Sequence, residues 1–280
     1  MNHRESLIQW LRAPRYEVLP LPGIENRIVD IVPKDATVTV TTSPRRGLEP
    51  TLDLAERLAA HGYRAVPHLT ARLVADRAHL EEILDRLRSA RITDVFAIAG
   101  DADEPAGSFS GALEMLEAMA DAGHELDDIG IAGYPESHPF LPDDVTIQSM
   151  WDKRHFASYI VSNVCFDARA ISQWVERVRR RGVELPIHVG LPGIADPAKL
   201  LRVSQKIGIG ESARFLRGHR SWLLRLVVPG AYSPTRLLGK LEADVAAPEQ
   251  RVVGIHVYTF NELARTERWR RRLLEEVSNA

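Results

Sequence analysis

The residue with the clearest chemical potential is Glu17, a glutamate inside the short apolar segment Arg15–Leu19. Burying an unpaired carboxylate is costly, so such a group is either paired or keeps its proton to a higher pH than usual. A carboxyl group that stays protonated near neutral pH is suited to general acid catalysis. Glu17 is therefore predicted to donate a proton to a bound substrate.

A second carboxylate, Asp101, ends the apolar stretch Asp94–Asp101 directly after Gly100. The stretch lies between two amphipathic patterns, residues 76–90 and 109–122, and is typical of a parallel strand covered on both faces. Parallel α/β folds bind ligands outside the carboxyl ends of their strands, where Asp101 would project. Asp101 is thus a candidate ligand-binding residue, although a turn former or the N-cap of the next helix would look the same.

Other polar side chains follow the remaining apolar runs in a similar way. The groups predicted at these strand ends are Thr42, His68, Thr70, Tyr134, Glu136, His138, Asn163, Tyr258, Asn261 and Glu262, of which Asn163 is predicted to lie within its strand. Turn formation alone does not require so many polar groups. Because the carboxyl ends of parallel strands meet at one face, the sequence predicts a single site built from several strands.

These groups are positioned by a repeated unit of a short strand, a loop and an amphipathic helix. The predicted strands are Arg15–Leu19, Thr37–Thr42, Arg64–Leu69, the stretch Asp94–Asp101, Asp128–Gly133, Tyr159–Phe166, Leu185–Gly190 and Val252–Thr259. About eight units in 280 residues favour a (β/α)8 TIM barrel, a single domain over residues 1–280, and no G-x-G-x-x-G motif follows an early strand. Residues 196–248 are interpreted as a helical insertion between strands seven and eight.

The composition narrows the possible functions. With 36 basic and 38 acidic residues, the chain lacks the basic surplus that is usual for nucleic-acid binding. Its one cysteine, Cys165, gives no disulfide framework and fits a reducing cytoplasm. No signal peptide or membrane span of ~20 apolar residues is recognised. The sequence predicts a soluble cytoplasmic protein, and a monomer is favoured because no extended apolar helix face is left unassigned.

Two other classes of function stay open on the residues alone. Metal-dependent hydrolysis would need a compact ligand set such as His68, Asp101 and His138, but no H-x-H or H-E-x-x-H spacing supports it. A noncatalytic barrel would use the Arg-rich segments Trp174–Arg181 and Trp269–Arg272 as contact surfaces, although such segments are more often solvated. Both are alternatives to an enzyme with Glu17 as its acid.

Several short motifs occur in order along nearly the whole chain. They are Tyr16-Glu17, Pro67-His68-Leu69-Thr70, Gly100-Asp101, the run Ala132–Pro139, Phe166-Asp167 and Tyr258-Thr259-Phe260-Asn261. Together they resemble the methylenetetrahydrofolate reductase family, with Tyr134–Pro139 the most specific part. The resemblance implies a barrel that reduces 5,10-methylenetetrahydrofolate to 5-methyltetrahydrofolate with hydride from NADH or NADPH. A folate-linked methyltransferase on the same barrel is an alternative.

The resemblance also implies roles for single residues. Glu17 matches the family's proposed acid, which protonates N10 to open the imidazolidine ring. Asp101 matches the aspartate that contacts the pterin, whose 2-amino group and ring nitrogen form a donor pair for a carboxylate. Asn163 stands where the family usually has a glutamine that bonds the pterin. His68 and Tyr134 join them as candidate folate-binding residues.

The departures from the family concern the flavin. Flavin-bearing members usually have arginine before the Gly-Asp pair and a glycine-containing loop before strand six, where this chain has Ala99 and the segment 151–158. Phe156 in place of the glycine removes the close backbone approach that a phosphate or ribose needs. The chain therefore resembles a flavin-free branch in which nicotinamide passes hydride directly to folate, and an FAD-dependent ping-pong enzyme is the alternative. No residues are predicted for the nicotinamide site.

Overall fold

Eight parallel strands close into a barrel in which each strand pairs with the next and β8 pairs with β1. The structure is a computed structural model that describes residues 3–43, 45–136, 142–194, 233–245 and 247–279. The strands are β1 Arg15–Val18, β2 Thr37–Val40, β3 Arg64–Thr70, β4 Asp94–Ile98, β5 Asp128–Gly133, β6 Tyr159–Ser162, β7 Ile187–Pro192 and β8 Val252–Tyr258. The predicted (β/α)8 barrel is confirmed, with small differences at the strand ends.

Helices cover the outside of the barrel between the strands. Those in the described residues are α1 His3–Arg12, α2 Ile24–Ile31, α3 Glu49–Ala60, α4 Arg77–Ser89, α5 Ala112–Ala122, α6 Asp143–Lys153, α7 Ala168–Arg180, α8 Pro234–Val245 and α9 Leu263–Asn279, with 3-10 turns at Ala71–Leu73 and Pro248–Gln250. Most of the predicted insertion at 196–248 lies outside the described residues, and its last part is α8 and the second 3-10 turn. None of the described helices is long and apolar enough to cross a membrane.

Helix α7 shows why these segments are helical. Asp167 caps its N-terminus by accepting a hydrogen bond from the Arg169 amide, and arginines in the last turn suit the negative end of the helix dipole. Trp174 is 1% exposed and packs against β5, where a Cβ on Gly133 would lie 2.3 Å from its ring. Trp174 and Trp269 are both buried, so neither aromatic ring is available to the contact surfaces considered above.

Successive side chains of a strand point to opposite faces, so each strand contributes to the core beneath the helices and to the barrel interior. On β4, Val95 and Ala97 pack into the main hydrophobic core between strands and helices. Phe96 faces the barrel interior, where it packs with Val66 and Val161. This interior cluster is separate from the main hydrophobic core and much smaller.

The amino-terminal end of the barrel interior holds a buried polar network. Asp94, only 2% exposed, accepts hydrogen bonds from Arg15 Nη2 at 3.3 Å, Arg64 Nη2 at 3.0 Å and Tyr159 Oη at 2.7 Å. These residues are the first of β1, β3, β4 and β6. The network therefore ties together strands that are not all neighbours in the barrel.

Candidate functional site

Glu17 lies inside the barrel at the carboxyl end of β1, level with Thr39 of β2 and Tyr258 of β8. Its Oε2 is 3.2 Å from His256 Nε2 and 3.7 Å from His68 Nε2. The carboxyl side chain keeps 16% of its surface exposed. Two imidazoles, from β3 and β8, therefore flank a carboxyl group that a ligand can still reach.

The electrostatics of this cluster follow from burial. Loss of hydration raises the pKa of Glu17 to about 7, although His68 acts in the opposite direction. The same effect lowers the pKa of His68 to about 4. It also lowers the pKa of His256 to about 3, and the positive charge of Arg15 adds to this decrease. At neutral pH both imidazoles are uncharged and Glu17 is partly protonated, which confirms the raised pKa expected for this glutamate.

The segment after β8 holds the backbone of β1 in place. Thr259 Oγ1 donates a hydrogen bond of 2.6 Å to the Glu17 carbonyl. The Asn261 side chain accepts from the Leu19 amide at 2.9 Å and donates to the Leu19 carbonyl at 3.0 Å. Phe260 and Asn261 have φ values of 50° and 60°, a left-handed conformation that non-glycine residues seldom adopt. Asn261, a candidate site residue, therefore positions Glu17 through the backbone.

Two tyrosines lie at this end of the barrel, Tyr258 beside Glu17 and Tyr134 beside Asp101. The Tyr258 hydroxyl donates to the Ser162 carbonyl at 3.1 Å, and burial together with Glu17 raises its pKa well above the usual value. Burial also raises the pKa of Tyr134 to about 12, and the charge of nearby Asp101 contributes. Both phenols stay protonated, and Tyr134 lies close enough to Asp101 to sense its charge.

Asp101 is exposed at the carboxyl end of β4, as predicted. Gly100 before it has a φ of 90°, and a Cβ there would lie 2.1 Å from Thr70 Cγ2, so only glycine fits this turn. Helix α5 begins at Ala112, with Gly111 in the N-cap position, so Asp101 is not the cap of the next helix. The carboxylate is therefore available to a ligand.

Arg72 holds the loop that carries Asp101. Its guanidinium donates to the carbonyls of Ala102 at 2.7 Å, Asp103 at 2.7 Å and Ser110 at 3.3 Å. Its backbone amide also bonds the Ala99 carbonyl at 3.0 Å. Sequence reasoning missed Arg72, because an arginine in a loop carries no local sign of the carbonyls that it will meet.

Asn163 directly follows Ser162, the last residue of β6, so the prediction that it lies within the strand is wrong. Its amide bonds the Gly133 carbonyl at 2.7 Å, and its side-chain Oδ1 accepts from the Val164 amide at 2.8 Å. The chain leaves the β-sheet after Ser162, and the hydrogen bond between the Asn163 side chain and the Val164 amide stabilises the backbone at that point. The side-chain Nδ2 donates to no described residue and is available to a ligand.

The remaining candidate site residues lie in different parts of the structure. Thr42 donates to the His68 carbonyl at 3.0 Å, and Thr70 is buried next to Gly100. Glu136 lies near Cys165 and helps burial to raise the pKa of that thiol. His138 lies outside the described residues. Among the described side chains, no three His, Cys, Asp or Glu groups are arranged to hold a metal ion.

The fold and the site together define a (β/α)8 barrel with a protonatable carboxyl and two neutral imidazoles at its ligand-binding end. Residues 25–209, more than half of the chain, match the family model for methylenetetrahydrofolate reductase. The chain belongs to the methylenetetrahydrofolate reductase family. This agrees with the resemblance seen in the motifs.

Individual relatives are distant. Methylenetetrahydrofolate reductase 2 of Saccharomyces cerevisiae (strain ATCC 204508 / S288c) is 26% identical over 137 residues, which is 45% of this chain and 23% of the yeast protein. The match thus spans about a quarter of the yeast protein's length. The crystal structure of a lyase/mutase candidate from Burkholderia cenocepacia J2315 covers 99% of this chain and 86% of that one, with a TM-score of 0.51 and 14% identity. At that identity the likeness shows a shared fold alone.

Proposed function

We propose that this protein reduces 5,10-methylenetetrahydrofolate to 5-methyltetrahydrofolate, with Glu17 as the acid. The observation that carries the proposal is the Glu17 carboxyl itself, which lies at the ligand-binding end with its pKa raised to about 7. A catalytic acid works best when its pKa lies near the working pH. Family membership supplies the substrate class.

In the proposed reaction Glu17 transfers its proton to N10 of the folate. The bond between N10 and the methylene carbon breaks, N10 keeps the electron pair, and an iminium forms at N5. Hydride from reduced nicotinamide then adds to the methylene carbon, so the iminium is reduced and the nicotinamide is oxidised. Because His68 and His256 are neutral, they place no positive charge beside this cation.

The pterin ring is proposed to be held by Asp101 and Asn163, with Tyr134 and His68 beside it. Asp101 supplies an exposed carboxylate for the donor pair of the pterin, and Asn163 supplies its unbonded Nδ2. Both ring nitrogens of His68 are buried without a hydrogen-bond partner among the described residues. Such orphaned groups are rare in folded proteins and support a polar partner that arrives with the ligand.

Asp101→Ala is expected to weaken folate binding at least tenfold, because loss of a hydrogen bond to a charged group costs about 1.5–3 kcal/mol. Asn163→Ala should have a smaller effect, since its hydrogen bond is neutral. Calorimetry with the folate product measures both. Glu104→Ala removes another exposed carboxylate from the same loop and serves as the control. Unchanged affinity in Asp101→Ala would remove Asp101 from the site.

Hydride transfer is proposed to occur directly, without FAD. The segment 151–158 is filled by side chains: Phe156 packs against the hydrophobic core, and Arg154 lies 3.5 Å above the Trp151 ring. Lys153 is largely desolvated, which lowers the pKa of its ammonium group to about 8. These residues do not fit the close backbone approach that FAD would need.

Direct transfer predicts sequential kinetics, because nicotinamide and folate must be bound together with their reacting carbons roughly 3–3.5 Å apart. Initial rates against both substrates should give intersecting lines, and comparing NADH with NADPH identifies the donor. Added FAD should change neither the rate nor the melting temperature. Parallel lines, a yellow protein or stabilisation by FAD would return the chain to the flavin-dependent mechanism.

A further inference from the structure

We propose that His256 is a positioning residue that determines which oxygen of Glu17 carries the acidic proton. The inference rests on the reaction proposed above and extends it to a residue with no assigned role. Its basis is the 3.2 Å contact between His256 Nε2 and Glu17 Oε2, made across the seam where β8 closes the barrel against β1.

The surroundings of His256 select one tautomer. A neutral imidazole carries its hydrogen on one ring nitrogen, and His256 is 1% exposed. Its Nδ1 is buried and has no hydrogen-bond partner among the described residues. A hydrogen on Nδ1 would therefore be a buried, unpaired donor, whereas a hydrogen on Nε2 meets Glu17 Oε2. The geometry favours the Nε2–H form.

This tautomer divides the two oxygens of Glu17 between two tasks. Oε2 accepts from the imidazole and cannot also direct its own proton there. Oε1 makes no hydrogen bond to a described residue and is absent from the buried orphaned atoms, so it is the oxygen that solvent reaches. The acidic proton is thus held on Oε1, toward the ligand.

The same hydrogen bond also assists release of the proton. When Oε1 gives its proton to N10, the carboxyl becomes a carboxylate, and the bond from His256 becomes charge-assisted and stronger. Burial and the charge of Arg15 lower the pKa of His256 to about 3, so its imidazolium form is not populated near neutral pH. His256 therefore cannot itself be the acid. It therefore stabilises the conjugate base of the acid while its own protonation state stays constant.

The other groups around Glu17 do not replace this contact. His68 Nε2, from β3, lies at 3.7 Å from Oε2, beyond hydrogen-bond distance. The Tyr258 hydroxyl donates to the Ser162 carbonyl. The charge of Tyr134 acts on Tyr258, and the charge of Arg15 acts on His68. The Tyr258 ring packs edge-on against His256 at 4.9 Å and helps to hold its orientation.

Two substitutions distinguish the effect of the hydrogen-bond donor from that of the aromatic ring. His256→Phe keeps an aromatic ring but removes the donor, and His256→Gln restores an N–H at a similar reach. In His256→Phe, kcat should fall roughly ten- to hundredfold with little change in the KM for folate. Because the ionised carboxylate loses its donor, the falling limb of the pH–rate profile should move to higher pH. His256→Gln should recover most of the rate and move the limb back.

Nuclear magnetic resonance tests the inference without turnover. In the wild-type protein, 15N shifts should report the Nε2–H tautomer of His256, and the 13C titration of the Glu17 carboxyl should move to higher pH in His256→Phe. An Nδ1–H tautomer, or the same Glu17 titration in a folded His256→Phe, would overturn the proposal. If wild-type protein lacks reductase activity while both signals are as expected, the proposed function fails and the assignment of the proton stands.

Discussion

Glu17→Gln is expected to lower the rate of folate reduction by about two to four orders of magnitude, the usual scale for a lost general acid. Glutamine has nearly the same size as glutamate, but its amide cannot give up a proton to N10. Nicotinamide oxidation at saturating folate measures the rate, and calorimetry should show that folate still binds. Wild-type turnover in the variant would end the assignment of Glu17 as the acid.

The wild-type rate should also fall as the pH rises through about 7, because only protonated Glu17 is competent and its pKa is raised to about 7. This decrease with pH should be absent from the residual activity of Glu17→Gln. A pH–rate profile of both proteins measures this difference.

The same substitution should stabilise the fold at high pH. The pKa of Glu17 is about 7 in the folded protein against an ordinary 4.5, so folding favours the protonated form and its ionisation opposes folding. Below pH 4.5 both states hold the proton and the effect is absent. At pH 8, Glu17→Gln should gain on the order of 3 kcal/mol in free energy of unfolding relative to wild type. Urea titrations at pH 4 and pH 8 separate this gain from any general effect on packing.

Asp94→Ala is expected to lower the free energy of unfolding by about 3–5 kcal/mol. Asp94 accepts from Arg15, Arg64 and Tyr159 at the amino-terminal end of the barrel. Its loss leaves the Arg15 guanidinium, which is 5% exposed, without a carboxylate partner. Urea denaturation measures the change.

Asp128→Ala is the matched control for this network. Asp128 also accepts from Arg64, at 2.6 Å, but it is 36% exposed and its loss leaves no buried charge. Asp128→Ala should lower the free energy of unfolding by less than about 1 kcal/mol, because exposed ion pairs contribute little to stability. Equal losses in the two variants would show that burial of Arg15 is not the cause.

Much of the barrel could be predicted because its strands are local apolar runs that alternate with amphipathic helical patterns. The polar residues of the barrel interior are harder to predict from the sequence, because they alternate with apolar residues inside the same runs. Ile255 and Val257 make β8 look apolar while His256 between them faces Glu17. A search for polar residues at every second position would have found His256, but only barrel closure tells which side chain it meets.

The two asparagines show a different limit. The sequence predicts Asn163 within strand six and Asn261 around the end of strand eight, and it counts both among the polar groups of one site. Asn261 uses both polar atoms of its side chain on the Leu19 backbone, whereas Asn163 keeps Nδ2 unbonded. An amide side chain serves either purpose equally well, and the choice depends on contacts between distant parts of the chain.

The hydrogen bond from Thr259 to the Glu17 carbonyl joins residues 242 positions apart. During synthesis the proposed acid is therefore made before β8, and it obtains this support only after β8 has been made. Contacts of such long range form late, because the entropy of closing the loop must be overcome first. Partly synthesised chains should thus be unable to turn over folate, so that competence coincides with completion of the barrel.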